Sequence, residues 1–332
     1  MKKHIFTLAL VASTYSIPAQ AEPAVCYNCP PQWADWATML KAIDKNLDIQ
    51  IPLDNKNSGQ ALSQILAERG SPVADVVYYG ITGGTTAKRE GVVEPYKPAK
   101  IEDVPEGLKD PEGNWFAVHY GTIGFFVNVD ALGGAPVPQC YADLLKPEYK
   151  GMVGYLDPSS AFAGYAAAIA VNHGMGGDLK NFDPVINYFR ELQANRPIVP
   201  KQTAYARVVS GEMSILFDYD FNAYRAKYEE DGNFEFVIPC EGTISVPYVM
   251  SLVKNAPHPE AAKKVLDYVL SDEGQQIWAN AYLKPSRPVE LPKDVSDRFL
   301  PASEYERAAS VDYDALEAAQ APLGERYLNE VR

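Results

Sequence analysis

Two long, apolar, β-favouring runs constrain this chain most: Phe116 to Val129 and Ile244 to Val253. One alternation of strand, polar turn and helix precedes the first run, and a second fills the interval between them. Strands feeding helices in this order imply an open, mostly parallel α/β sheet. The chain leaves one such unit through an apolar strand, builds another, and returns through a second strand. That path predicts two α/β lobes joined by crossings near 116–128 and 236–250. Ligands of such sheets bind beyond the carboxyl ends of the strands, so two facing lobes place one ligand between them, held by hinge closure.

In the first unit, Ala24 to Asn28 reads as a strand, and Trp33, Trp36, Leu40 and Ile43 fall at helical spacing. Leu47 to Leu53 reads as strand again. Ser58 closes a polar turn as the expected N-cap of a helix carrying Leu62, Ile65 and Leu66. Ala74 to Tyr79 is a buried-type strand, opening into Gly80 to Thr85, a loop with little side-chain bulk. The second unit reads as a helix at Tyr141 to Leu145, a strand at Met152 to Leu156, and helices at Ala161–Val171, Pro184–Gln193 and Thr203–Ser210. Strands at Ser214–Phe217 and Phe234–Ile238 follow, and helices at Pro259–Leu270 and Asp272–Tyr282 come after the second apolar run.

Charge removes whole classes of function. The chain has 30 Lys and Arg against 43 Asp and Glu, a net charge of -13. Nucleic acid and anionic lipid both call for basic surface. Residues 1–21 carry Lys2 and Lys3, a short apolar run from Ile5 to Ala12, and Ala19 and Ala21 at cleavage positions, the pattern of a secretory signal peptide. An exported, periplasmic protein is expected. Four cysteines (Cys26, Cys29, Cys140 and Cys240) then allow two disulfides in three full pairings. Cys26 and Cys29 have redox C-x-x-C spacing without a thioredoxin-like context, so a local disulfide or inert thiols is the favoured reading. His119, His173 and His258 are not spaced with the cysteines as a zinc set.

The order of motifs resembles the periplasmic solute-binding proteins of ABC importers, nearest the subgroup that binds ferric ion, phosphonates, sugar phosphates and polyamines. The matching runs are Ser58–Glu68 (SGQALSQILAE), Ala74–Tyr79 (ADVVYY), Tyr120–Asn128 (YGTIGFFVN) and Tyr141–Gly151 (YADLLKPEYKG). Asp157–Phe162 (DPSSAF), Ile244–Tyr248 (ISVPY), Ala256–Lys264 (APHPEAAKK) and Leu270–Gln276 (LSDEGQQ) complete the series. The resemblance implies a two-lobed, type II periplasmic-binding fold, each lobe a mixed sheet flanked by helices. Residues 22–118 and 246–290 would form one lobe and 119–245 the other, with 291–332 a helical segment packed on both. It also implies a monomeric receptor that hands a small-molecule solute to a permease and an ATPase on separate chains. No enzyme motif is present, and no cofactor is expected.

Individual residues narrow the ligand. The turn Ser159, Ser160 and Ala161 opens a helix after a strand, which makes an anion site, and in the resembling subgroup this turn holds phosphate, phosphonate or carboxylate. A plain helix cap is the alternative. Asn57 and Ser58 pose the same choice, and Thr82 offers a further hydroxyl. Asp218 and Asp220 at a strand end could hold an ammonium or a sugar hydroxyl, or simply cap a helix. In the ferric binders this position resembles a tyrosine pair; here it reads Asp220 and Phe221. The loop Cys29 to Gln32 lacks the expected His, and Gly80 and Ile81 stand where a Glu is expected, so the usual iron ligands are missing. Trp33, Trp36, Tyr78 and Tyr79 raise a polyamine box as the alternative, although Trp36 sits at core spacing. His119 reads as structural, and Arg287 as a further candidate anion contact.

Overall fold

The computed structural model describes residues 22–31, 33–200 and 204–332. The predicted signal peptide, Gln32 and the start of the helix expected at Thr203 lie outside them.

Strands β1 (Cys26–Tyr27) and β2 (Val76–Gly80) are parallel neighbours, joined through helices α1 (Trp36–Leu47) and α2 (Ser58–Ala67). The segment expected as a strand at 47–53 keeps ladder pairing only at Ile49–Gln50. Helix α1 buries Trp36, Met39 and Ile43, and the Trp36 ring meets Tyr78 and Trp278 edge-on at 5.1 Å each. Such aromatic pairs add about 0.5–1.5 kcal/mol each beyond area burial.

The glycine-rich stretch 80–85 is helix, not loop: α3 runs Ile81–Arg89 with Gly80 as N-cap. Its small residues serve close packing. A Cβ on Gly84 would lie 2.8 Å from Val249 Cγ2, so only glycine lets this helix lie on the neighbouring strand.

Both crossing strands are present. β3 runs Phe116–Asn128, and the return strand (Thr243–Val253) pairs with it antiparallel from Ser245↔Thr122 to Met250↔Phe116, with a bulge at Tyr248/Val249. Thr122 and Ser245 hydroxyls meet at 2.7 Å across this pair. Between the crossings come β4 (Val153–Tyr155), helix α4 (Phe162–Gly174), helix α5 (Asp183–Leu192), β5 (Ile215–Tyr219), helix α6 (Asp220–Glu229) and β6 (Phe234–Val237). The return strand is β7. Among the described residues one sheet runs β1-β2-β7-β3-β5-β4, parallel at both flanks and antiparallel at its centre. The Tyr141–Leu145 segment is 3-10 rather than α-helical. Cys140–Cys240 links its start to the approach to β7.

Helix α7 (Pro259–Val269) and helix α8 (Asp272–Asn280) follow, and a last helix, α9 (Tyr313–Glu330), lies along both halves. At one end Glu317 takes Thr86 Oγ1 at 3.0 Å and pairs with Arg89. At the other, Arg326 pairs with Asp183 and Arg332 with Asp157, at 2.8 and 2.7 Å. Among the described residues no helix is long and apolar enough to cross a membrane.

Candidate functional site

Two helices begin on opposite walls of the cleft between the halves. On the first wall Asn57, rather than the expected Ser58, caps α2. Its Oδ1 accepts the Gln60 N–H at 2.9 Å while Gln60 Oε1 accepts the Asn57 N–H at 3.0 Å, a reciprocal capping box. Ser58 therefore enters the first turn. Its Oγ accepts from the Gly80 N–H at 3.1 Å and from Asn28 Nδ2 at 3.4 Å. With its oxygen receiving two donors, the Ser58 hydroxyl retains a proton to donate.

On the second wall the turn before α4 is organised by Asp157. Its carbonyl accepts the N–H groups of Ser160 and Ala161, and its Oδ1 accepts both N–H and Oγ of Ser159, at 2.9 and 2.6 Å. The backbone donors of Ser159, Ser160 and Ala161, expected to face an anion, are thus occupied within the turn. The open donors lie slightly further on. As at any helix start, the first-turn amides of Phe162 and Ala163 have no intrahelical carbonyl, and Ala161, the N-cap, has no side-chain acceptor to offer in its place. Each helix start carries partial positive charge.

A cavity of about 320 Å³ joins the walls. Ser160, Ala161, Phe162 and Ala163 line one side, Asn57 to Gln60 the other, with Lys56, Asn28, Trp33 and Tyr248 between. No Asp or Glu lines it. The Lys56 ammonium lies 2.5 Å from Asp54 and 4.2 Å from the Tyr27 ring centroid.

The aromatic part is braced from beneath. Trp33 meets Phe221 edge-on at 5.4 Å, and its indole N–H donates to Tyr78 Oη at 3.1 Å. Tyr248 stacks on Tyr78 at 5.2 Å and on His119 at 5.4 Å. His119 is fully buried and bonds Tyr78 Oη at 2.7 Å. Burial pushes its pKa down to about 3, so the ring is neutral at ordinary pH. The walls already touch through Phe162. A Cβ on Gly80 would lie 2.5 Å from Phe162 Cδ1 and Cε1, so the ring rests on bare backbone.

Five predicted residues thus converge: Trp33, Asn57, Ser58, Ser160 and Ala161. Ser159 stands behind them, bound to Asp157. The others lie elsewhere. Asp218 is buried and accepts from the Tyr219 N–H and from Asn222 Nδ2, at 2.8 and 2.9 Å. Asp220 is buried, opens α6, and accepts from the Thr122 and Phe221 N–H groups at 3.1 and 3.0 Å. Burial raises both carboxyls to about 6, and lowers Lys284 beside Asp220 to about 8. Neither acid lines the cavity. Thr82 is buried in the first turn of α3, because the segment expected as a loop is helix. Arg287 is buried, donates to the Leu270 carbonyl at 2.6 Å and pairs with Asp272, so it closes the end of α7 rather than facing a ligand.

Lys56, Asn28, Phe162 and Tyr248 line the cavity without having been singled out. Phe162 and Tyr248 end two of the motif runs, and Asn28 lies inside the C-x-x-C spacing, but nothing local marks any of them as facing a cleft.

Comparison with known proteins agrees with this architecture. A family profile described as bacterial extracellular solute-binding protein matches residues 71–318. A Haemophilus influenzae protein is 30% identical over 250 residues, 72% of this chain and 70% of its own. A Salmonella typhi protein, provisionally named a 2-aminoethylphosphonate-binding periplasmic protein, is 25% identical over 96% of this chain and 93% of its own. The solved structure of the periplasmic binding protein AfuA from Actinobacillus pleuropneumoniae, with fructose-6-phosphate bound, superposes with a TM-score of 0.79 at 25% identity, covering 93% of this chain and 98% of that one. The chain belongs to the bacterial extracellular solute-binding proteins, receptors that capture a small solute for an ABC-type importer.

Proposed function

We propose that the captured solute is a small organic anion bearing a phosphate, phosphonate or carboxylate, held between the starts of α2 and α4. One observation carries this reading: two helix N-termini, two serine hydroxyls and one lysine surround a cavity that no carboxylate lines. Each hydrogen bond to a charged oxygen contributes about 1.5–3 kcal/mol, against the cost of immobilising the solute. The phosphorylated sugar in AfuA and the name of the Salmonella relative support the same class. A polyamine finds no carboxylate in this cavity. Asp218 and Asp220, the acids expected to receive an amine, point into the protein and are bonded there. Ferric ion, which needs anionic oxygens, meets the same obstacle.

In this reading residues 1–21 direct export and are removed, the mature chain acts as a monomer in the periplasm, and permease and ATPase are separate chains. The solute bridges the two helix starts, and that bridge draws the walls together. Release follows when docking on the permease parts them. No covalent step is involved.

The test is a thermal-shift screen on protein stripped of carried-over ligand by unfolding and refolding. Ligand at about 100 times its Kd stabilises by about 2.7 kcal/mol. Phosphonates or sugar phosphates are expected to raise Tm, and polyamines are not. A shift confined to polyamines or Fe(III) would overturn the reading.

A further inference from the structure

We infer that the Cys26–Cys29 disulfide is the frame of the first wall, holding Lys56 and Ser58 in position to receive the anion; the inference rests on the proposed anion cavity. The bridge closes a loop enclosing only Tyr27 and Asn28, and both sulfurs belong to fully buried residues. Each enclosed residue then holds a cavity residue. The Tyr27 ring lies 4.2 Å beneath the Lys56 ammonium, while its hydroxyl is anchored to Glu68 at 2.9 Å and to Gln64 at 3.0 Å. Asn28 adopts a left-handed conformation, φ 64°, disfavoured for residues other than glycine and asparagine. In that conformation Nδ2 reaches the Tyr78 carbonyl at 2.7 Å and Ser58 Oγ at 3.4 Å, and the backbone N–H reaches Asp54, the partner of Lys56, at 3.4 Å. A four-residue ring restricts the chain to few conformations. Opening it frees Asn28 to leave the left-handed region, and Ser58 and Lys56 lose their supports together.

The Cys140–Cys240 bridge supplies an internal control, since neither cysteine lines the cavity. The paired variants Cys26→Ser/Cys29→Ser and Cys140→Ser/Cys240→Ser are compared with the parent protein by calorimetric titration with methylphosphonate and glucose 6-phosphate. The first variant is expected to bind about tenfold or more weakly, the scale of one lost charge-assisted contact, while the second binds as the parent does. Hydrogen exchange on ligand-free protein reads the same coupling without any ligand. Segment 54–60 and the Gly80 amide should exchange faster in the first variant only. If neither probe binds the parent, the exchange result still decides the framing role, and the thermal-shift screen decides the anion function separately. Unchanged exchange at 54–60 in the Cys26→Ser/Cys29→Ser protein, or equal weakening by both variants, overturns the inference. Should that protein not fold, Asn28→Ala, which leaves the bridge intact and removes the amide, must still accelerate exchange at Gly80.

Discussion

Replacing Gly80 by alanine places a methyl group where the two walls meet. Gly80 has φ -61° and ψ 154°, a conformation open to alanine, so backbone strain is excluded as the cause of any effect. The added Cβ would sit 2.5 Å from two ring carbons of Phe162 and 2.9 Å from a third. The two nearer contacts are about 1–1.5 Å inside the optimal carbon–carbon separation. Phe162 lies in the first turn of α4, whose amides are the proposed anion donors, so a ring and helix start pushed off Gly80 move that wall away from α2. Overpacking of this kind costs about 1–3 kcal/mol. In the proposed closure the cost falls on the closed form, because opening the cleft relieves the overlap. Affinity should therefore fall about 5- to 150-fold, with the Tm of ligand-free protein nearly unchanged. Calorimetric titration measures the first quantity and differential scanning calorimetry the second. Undiminished affinity would refute closure through the Gly80–Phe162 contact. An equal loss of ligand-free stability would show that the overlap acts on the fold instead.

Removing the hydroxyl in Ser58→Ala should weaken anion binding by roughly 1 kcal/mol or more, read by titration, and should speed exchange at Gly80 by deleting its acceptor. Cys140→Ser/Cys240→Ser should lower Tm by several degrees at unchanged affinity. The bridged cysteines are 100 residues apart, for which the chain-entropy account gives up to about 4.7 kcal/mol. The buried Asp218 carboxyl supplies a pH signature. Its folded pKa of about 6 lies above the ordinary carboxylate value, so the folded state holds more protons than the unfolded state between about pH 4 and 6, and stability falls as pH rises through that window. Asp218→Asn should remove this residue's share of the fall and leave that of Asp220, gaining on the parent by up to about 3 kcal/mol between pH 4 and 7 in Tm-versus-pH curves. A constant difference across that range would contradict the burial argument.

The strands and helices that build the lobes are legible because burial imposes periodicity. Trp36 and Ile43 at helical spacing are in the core, and the apolar runs at 116 and 244 are the two crossing strands. Where small residues are ambiguous, reading fails. Gly80 to Thr85 looks like a loop because its glycines and threonines carry poor helix propensity, yet close packing against Val249 and Trp115 selects helix. The cap at Asn57 is displaced by one residue because Gln60 lies three positions after Asn57, and this completes the box. Half of the site follows local rules, since helix starts with hydroxyls are visible as Asn57, Ser58 and Ser160. The other half depends on which way a strand end turns. Asp218 and Asp220 stand at a carboxyl edge, as expected, but the β3 amide of Thr122 and the side chain of Asn222 draw them inward. Lys56 and Tyr248 enter the cavity only because the chain folds back, and no local pattern encodes that.

The central claim is that an anion bridges the starts of α2 and α4. Its most direct test is a crystal structure of the protein with the ligand that gives the largest thermal shift. The account predicts the anionic group within hydrogen-bond reach of the Phe162 and Ala163 amides and the Ser58 and Ser160 hydroxyls, with the organic body against Trp33 and Tyr248. An anionic group bound away from both helix starts, or a cationic ligand filling the cavity, would contradict it.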